Sequence, residues 1–107
     1  MARRGSVRIA RPIVNRYIRV LRAHRVHPAS VYLFGSYVSG TPSGDSDIDV
    51  AVVSDDFSGN VLEDGLRLMR CRREVDLRIE PHPFRPEDFT PDNPWVAEIL
   101  RTGIRIV

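Results

Sequence analysis

The sequence predicts an α/β (α+β) fold in which a small mixed β-sheet carries helices packed on one face. Three patterns support this prediction: apolar residues at helical spacing from Ile13 to Leu21, short apolar runs at 31–34 and 48–53, and strict alternation over 74–80. Apolar positions three and four residues apart indicate a helix with one buried side, whereas short apolar runs and alternation indicate strands.

The N-terminal half is predicted to form a helix, a strand, a loop and a second strand. Residues 1–8 are expected to be flexible, and Pro12 suits the first turn of the helix. The first strand covers 31–34. Residues 37–46 begin as a helical turn and continue as a loop, since glycine and proline recur there. The second strand covers 47–53.

The C-terminal half is predicted to contain a helix, an alternating strand, a last helix and a short terminal strand. Asn60 and Glu63 form a plausible capping pair for a helix ending near Arg70. The strand over 74–80 is expected to stop at the prolines that follow it, and Asn93-Pro94 begins the last helix. The apolar positions expected to face inward from the first of these helices are Val61, Leu62, Leu66 and Met69.

Length and composition favour one cytoplasmic domain over residues 1–107. The single cysteine, Cys71, excludes an internal disulfide and a multi-cysteine zinc site. No apolar run approaches the ~20 residues of a membrane span. Eight arginines fall between Arg3 and Arg25, before the first acidic residue, Asp45. This asymmetry predicts either a surface for RNA or an acidic protein, or simply a solvated helix face.

Two short motifs lie at the ends of the first two predicted strands. Gly35-Ser36 follows the first apolar run and, after ten intervening residues, Asp47 and Asp49 open the second. In a strand, residues i and i+2 project to one face, with Cα atoms roughly 6–7 Å apart. Two carboxylates so placed can share divalent cations, and magnesium takes oxygen ligands from carboxylates and substrate phosphates. The Gly-Ser turn can offer a hydroxyl and backbone N–H groups to those phosphates.

The third predicted strand adds a carboxylate to the same face. If Val75, Leu77 and Ile79 face the core, Asp76 lies on the open side together with Asp47 and Asp49. Three like charges on one face repel each other unless a cation compensates them. The pattern therefore predicts a metal site.

Gly35-Ser36, ten residues and Asp47-x-Asp49 together resemble the signature of the polymerase-β-like nucleotidyltransferase superfamily, and the short length resembles its minimal nucleotidyltransferase (MNT) branch. The likeness is best over residues 31–80. It implies the palm fold of that superfamily and two magnesium ions, with manganese possible. It also implies that Asp47 and Asp49 bridge both metals, that Asp76 binds the metal that activates the acceptor hydroxyl, and that Gly35 and Ser36 contact the phosphates.

By this resemblance the chain is expected to move a nucleoside monophosphate from an NTP, with ATP favoured, to a hydroxyl. MNT proteins are often paired with HEPN proteins, which are ribonuclease-type toxins, and act as antitoxins by adenylylating them. A HEPN-type partner is therefore expected, and an exposed Trp95 with a short C-terminal strand would permit a homodimer. Relatives often carry a basic residue where this chain has Ser39, which leaves open a non-catalytic, nucleotide-binding antitoxin that acts by occlusion. Transfer to RNA ends is a further alternative, suggested by the arginine-rich first helix.

Overall fold

The computed structural model of the protein describes residues 2–40, 42 and 46–107. Met1 and part of the predicted loop, 41 and 43–45, lie outside this range. A short 3₁₀ turn, Pro86–Asp88, precedes the last helix. The helices and strands are α1 (Ala2–Ala23), β1 (Ser30–Phe34), α2 (Ser36–Ser39), β2 (Ile48–Val53), α3 (Val61–Arg72), β3 (Ile79–Phe84), α4 (Pro94–Thr102) and β4 (Ile104–Arg105).

Helix α1 begins ten residues before the predicted start near Pro12. Val7 packs against the core and Ala10 is fully buried, so the apolar stripe continues toward the N-terminus. Arginine is a good helix former, and the arginines of this segment therefore do not oppose the helix. The flexibility of residues 1–8 stays a prediction. No helix in the described part of the chain is both long and apolar enough to cross a membrane.

The sheet is mixed, as predicted, with the strand order β3-β2-β1-β4. β1 pairs antiparallel with both β2 and β4, and β2 pairs parallel with β3. The apolar runs at 31–34 and 48–53 thus form the two central strands, which contribute apolar side chains to the cores on both faces of the sheet.

β3 begins at Ile79 and runs through Pro81 and Pro83, although these prolines were expected to end a strand over 74–80. β3 is an edge strand, and one side of its backbone has no neighbour among the described strands. The carbonyls of Arg78 and Phe84 accept hydrogen bonds from β2 and the residue after it, so even-numbered residues of β3 direct their backbone groups at β2. The prolines fall on the odd, outward positions, where a missing N–H removes no ladder hydrogen bond.

Helices cover both faces of the sheet, whereas the prediction put them on one face. The larger core lies between α1, α3 and the sheet face that carries Leu33, Val50 and Ile79. α4 covers part of the opposite face, where Val96 and Ile99 pack against side chains such as Ala51 and Phe84. Along β2 and β3, Asp49, Glu80 and His82 alternate with the residues of the larger core. They therefore share the opposite face, which α4 covers only in part.

The inward face of α3 differs from the prediction. Val61, Leu62 and Leu66 are exposed by 72%, 75% and 48%, whereas Asp64 and Leu68 are buried. Asp64 can be buried because its carboxylate accepts hydrogen bonds from the Ser58 N–H, the Ser58 hydroxyl and the Gly59 N–H. The predicted cap is confirmed: the Asn60 side chain accepts from the Glu63 N–H at 3.0 Å.

Replacing Tyr17 by phenylalanine is expected to destabilise the fold by about 1 kcal/mol. Tyr17 is fully buried, and its hydroxyl donates to the Leu68 carbonyl at 2.8 Å, joining α1 to α3. Urea unfolding of the two proteins measures the difference. Tyr32→Phe is the matched control, since the Tyr32 hydroxyl has no hydrogen-bond partner in the described structure. Equal losses in both variants would contradict the assigned role.

Candidate active site

Asp49 occupies the second position of β2, in a row of three side chains that crosses the sheet. Its register partner on β1 is Phe34, and its partner on β3 is Glu80. Neighbouring strands lie roughly 4.8 Å apart, so the Asp49 and Glu80 side chains start from adjacent positions on one face. The site thus has a wall on one side, formed by the end of β1, and a second carboxylate on the other.

Gly35 makes the turn between β1 and α2, directly against Asp49. Its backbone has φ 79° and ψ −151°, a combination that is essentially restricted to glycine. A Cβ at this position would lie 3.1 Å from Asp49 Cγ and would overlap the carboxylate oxygen. The glycine therefore brings the β1–α2 backbone up to the carboxylate with no side chain between them, as a phosphate-binding turn requires.

Ser36 begins α2 and is half-buried beside this turn. Ser39, at the other end of α2, donates its hydroxyl to the Gly35 carbonyl at 3.1 Å. Ser39 therefore closes the turn on itself, at the position where the family resemblance implies a basic residue. Asp47 is exposed and lies one residue before β2, two positions from Asp49.

Asp76 does not lie on β3, contrary to the prediction, because the strand begins three residues later. Its carboxylate is held in the preceding turn by Arg78. Oδ1 accepts from the Arg78 backbone N–H at 2.8 Å and from Nε at 3.1 Å, and Oδ2 accepts from an Nη at 2.8 Å. Hydrogen bonds from the Arg78 side chain lower the pKa of Asp76. Arg78 thus balances the charge of Asp76.

Replacing Arg78 by methionine is expected to raise the pKa of Asp76 toward its ordinary value of 3.8. A lowered pKa in the folded state means that ionised Asp76 stabilises the fold above the ordinary pKa, and that this contribution is lost as the pH falls through the folded value. NMR titration of the carboxyl group in both proteins measures the change. Arg101→Met, which removes the exposed partner of Glu98, is the control. An unchanged Asp76 titration in the Arg78 variant would contradict this account.

Glu80 is a carboxylate that was not among the site residues predicted from the sequence. The actual register makes Glu80 the direct neighbour of Asp49, with Arg72 Nη1 at 3.9 Å from its carboxylate. Proline at two alternate positions, Pro81 and Pro83, is the signal that could have identified an edge strand here.

His82, which was not among the predicted site residues either, also reaches Asp49. Its Nε2 lies 3.4 Å from Asp49 Oδ1, and its side chain is 25% exposed. His82 lies two residues beyond Glu80 on the same face of β3. It connects the carboxylates with an aromatic cluster that includes Phe34 and Trp95.

The carboxylates of the site fit a magnesium ion that takes some of its oxygen ligands from the protein and the others from a substrate. Among residues 2–40, 42 and 46–107, no three His, Cys, Asp or Glu side chains are gathered closely enough to enclose a metal by themselves. Magnesium usually binds through one or two carboxylates and completes its shell with water and phosphate oxygens. Asp47 and Asp49, with Glu80 beside them, offer oxygen ligands next to a turn whose glycine leaves room for phosphate.

Comparison with known proteins identifies the family. Residues 14–93 match the nucleotidyltransferase domain family. The protein adenylyltransferase MntA of Shewanella oneidensis is 43% identical over 47 residues, which make up 44% of this chain and 34% of that protein. The match thus spans about a third of the curated relative's length.

Solved structures share the fold at low sequence identity. A toxin–antitoxin solved with AMP-PNP has a TM-score of 0.62 and 24% identity, covering 87% of this chain and 71% of that one. A MntA-HpeT toxin–antitoxin with two Asp-to-Glu substitutions has a TM-score of 0.56 and 23% identity at the same coverage. A Sulfolobus solfataricus protein assigned as a nucleotidyltransferase has a TM-score of 0.59 and 17% identity, covering 97% and 81%. The resemblance found in the sequence is therefore confirmed at the level of the family: this chain belongs to the nucleotidyltransferase domain family.

Proposed function

We propose that the protein is a magnesium-dependent nucleotidyltransferase that moves AMP from ATP to a hydroxyl group on a partner protein. We further propose that it does so as the antitoxin half of an MNT/HEPN pair in the cytoplasm. The relative MntA is a protein adenylyltransferase, and related folds occur in toxin–antitoxin structures, one of them with AMP-PNP. These likenesses support ATP as the nucleotide and a toxin as the partner.

The observation that carries the proposal is the contact between the Gly35 turn and the Asp49 carboxylate. Because the turn lies this close to the carboxylate, the same phosphate oxygens could contact both the backbone N–H groups of the turn and a cation bound to the carboxylate. Neither feature alone would indicate this chemistry, since glycine turns and strand-end acids are both common. Their direct contact is what a triphosphate-binding site needs.

The proposed reaction is an in-line displacement at the α-phosphorus of ATP. The acceptor oxygen forms a bond to phosphorus, the bond to the β-phosphate oxygen breaks, pyrophosphate leaves with that electron pair, and the hydroxyl proton passes to water. Bound magnesium would supply charge neutralisation at the phosphates. Gly35 and Ser36 are proposed to orient the triphosphate, while Asp47 and Asp49 hold the metal.

Calorimetric titration of ATP, GTP, CTP and UTP in the presence of magnesium tests the proposal on the wild type and on Asp49→Ala. Magnesium-dependent binding of ATP that disappears in the variant is the expected result. Absence of NTP binding by the wild type, alone and with a HEPN-type partner, would overturn the proposed function.

The third carboxylate is proposed to be Glu80, with Asp76 as the alternative that the family resemblance implies. Glu80→Gln is expected to lower the transfer rate at least about 100-fold, because a loss of several kcal/mol of charge stabilisation corresponds to such a factor. Asp76→Asn is expected to retain transfer, because its carboxylate is already bound by Arg78. Single-turnover transfer of label from ATP compares the two variants. The opposite ranking would give the role to Asp76.

A non-catalytic antitoxin is the alternative that Ser39 favours, since its hydroxyl closes the α2 turn and no cation stands at that position. Such a protein would bind nucleotide and partner without turnover. Incubation with labelled ATP, magnesium and the partner separates the two functions. Label transfer that vanishes in the Asp47→Ala/Asp49→Ala double variant would exclude occlusion alone.

Transfer to RNA ends is favoured by a row of arginines on α1. Arg8, Arg11, Arg19 and Arg22 are exposed, and they form no ion pair or hydrogen bond with described residues. Their spacing keeps them on one side of the helix over roughly 21 Å. RNA binding through this row would weaken steeply with salt. Binding that is equal at low and high salt would remove this alternative.

A further inference from the structure

A cleft of about 420 Å³ lies on the α4 face of the sheet and begins at the candidate active site. His82 and Phe84 of β3 form its floor, and Trp95 of α4 forms one wall, with Asp88 and Asn93 also lining it. The floor is continuous with the carboxylates, since His82 Nε2 lies 3.4 Å from Asp49 Oδ1.

The Trp95 side chain is packed against two neighbouring rings and is still partly exposed to solvent. Its ring centroid lies 5.1 Å from that of His82 and 5.4 Å from that of Phe84, yet 45% of the residue is exposed. The Asn93 side chain accepts from the Trp95 backbone N–H at 2.9 Å and so fixes the start of α4. A large aromatic surface that is held in place and left open is typical of residues that bind partners.

The geometry of in-line displacement indicates that the cleft would receive the acceptor and not the nucleotide. The attacking and leaving oxygens stand on opposite sides of the reacting phosphorus. The Gly35-Ser36 turn, where the phosphates are proposed to bind, lies at the end of β1, on one side of β2. The cleft lies at β3, on the other side. A hydroxyl that enters through the cleft therefore approaches opposite the pyrophosphate.

The charges near the cleft favour a polypeptide over RNA. Asp88 is among the described residues that line the cleft, and none of these is an arginine or a lysine. The neighbouring Arg85 is already engaged by Glu87 and Asp88, at 3.7 and 3.2 Å. A lining with a carboxylate and without arginine or lysine disfavours a phosphodiester backbone.

We propose that this cleft is the acceptor site, and that it binds a polypeptide segment whose hydroxyl side chain points toward Asp49 while an apolar neighbour packs against Trp95. The proposal rests on the proposed function and adds to it the surface that selects the acceptor. Trp95 is then a specificity-determining residue, and His82 positions the acceptor beside the carboxylates.

Fluorescence can test the cleft directly, because Trp95 is the chain's one tryptophan. The full chain, saturated with magnesium and α,β-methylene-ATP, which cannot release pyrophosphate, is titrated with blocked tripeptides that carry Ser, Thr or Tyr between two leucines. A saturable change in Trp95 emission with at least one peptide is expected. No change with any of the peptides, or a change only with an RNA oligonucleotide, would overturn the proposal.

Transfer kinetics with the same peptides and ATP provide the second measurement. Trp95→Ala is expected to raise the KM for the peptide at least tenfold and to leave ATP affinity within about twofold, and Trp95→Phe is expected to restore part of the loss. Leu100→Ala, which removes another exposed apolar side chain of α4, is the control. An unchanged peptide KM in Trp95→Ala would refute the acceptor cleft while leaving the proposed function intact. Absence of ATP binding by the wild type would instead refute the proposed function itself.

Discussion

Asp49→Asn is expected to reduce AMP transfer by a factor of about 10³ or more without destabilising the fold. Asparagine keeps the shape of the side chain and can still meet His82, but it removes the negative charge that a magnesium ion requires. Losing several kcal/mol of charge stabilisation in the transition state corresponds to a factor of this size.

The stability of the same variant should stay equal to that of the wild type or rise. In the metal-free protein, Asp49 and Glu80 are register neighbours, and their like charges repel each other. Removing one charge relieves that repulsion, as expected at a site that is built for a ligand at some expense to the fold. Metal-free thermal unfolding and single-turnover transfer measure the two effects. Asp55→Asn, at an exposed position just after β2, is the control. A variant that is inactive and also clearly less stable would indicate that Asp49 has a structural role.

The sequence predicted the central strands, and the position of Asp47 and Asp49 at the head of the second one, because these features depend on local patterns. Apolar runs at 31–34 and 48–53 leave few alternatives to buried strands, and an acid at the head of a strand stays there whatever surrounds it. The family signature depends on the same local features, which is why the fold and the family were both predictable.

The face of α3 and the start of β3 depend on partners that the local pattern does not contain. Alternation over 74–80 suggested a strand, yet Leu77 is 67% exposed, because the segment turns before it joins the sheet. Asp64 is buried on α3, whereas Val61, Leu62 and Leu66, which were expected to face the core, are exposed. Its burial is possible because nearby backbone N–H groups donate hydrogen bonds to its carboxylate. Glu80 lies beside Asp49 through the β2–β3 register, which is a long-range property.

The second large effect is expected for Gly35→Ala, which should both strain the backbone and displace Asp49. The left-handed conformation at φ 79° costs a residue with a Cβ on the order of 1–3 kcal/mol. The added methyl group would also meet the Asp49 side chain, with Cγ only 3.1 Å away. If the turn moves to relieve the contact, the backbone proposed to bind phosphate shifts. If the carboxylate moves instead, the proposed metal ligand is displaced. Either adjustment should abolish magnesium-dependent ATP binding in a calorimetric titration.

Gly65→Ala separates this effect from the general consequence of replacing a glycine. Gly65 lies inside α3, and a Cβ there would have no heavy atom within 4 Å. Alanine in a helix interior is favoured over glycine by roughly 0.5–1 kcal/mol, so this variant should be more stable and should bind ATP as the wild type does. Two substitutions of the same chemistry are therefore expected to have opposite effects on stability, and only one of them should affect the site. ATP binding by Gly35→Ala at wild-type affinity would mean that the approach of the turn to Asp49 is not what forms the nucleotide site.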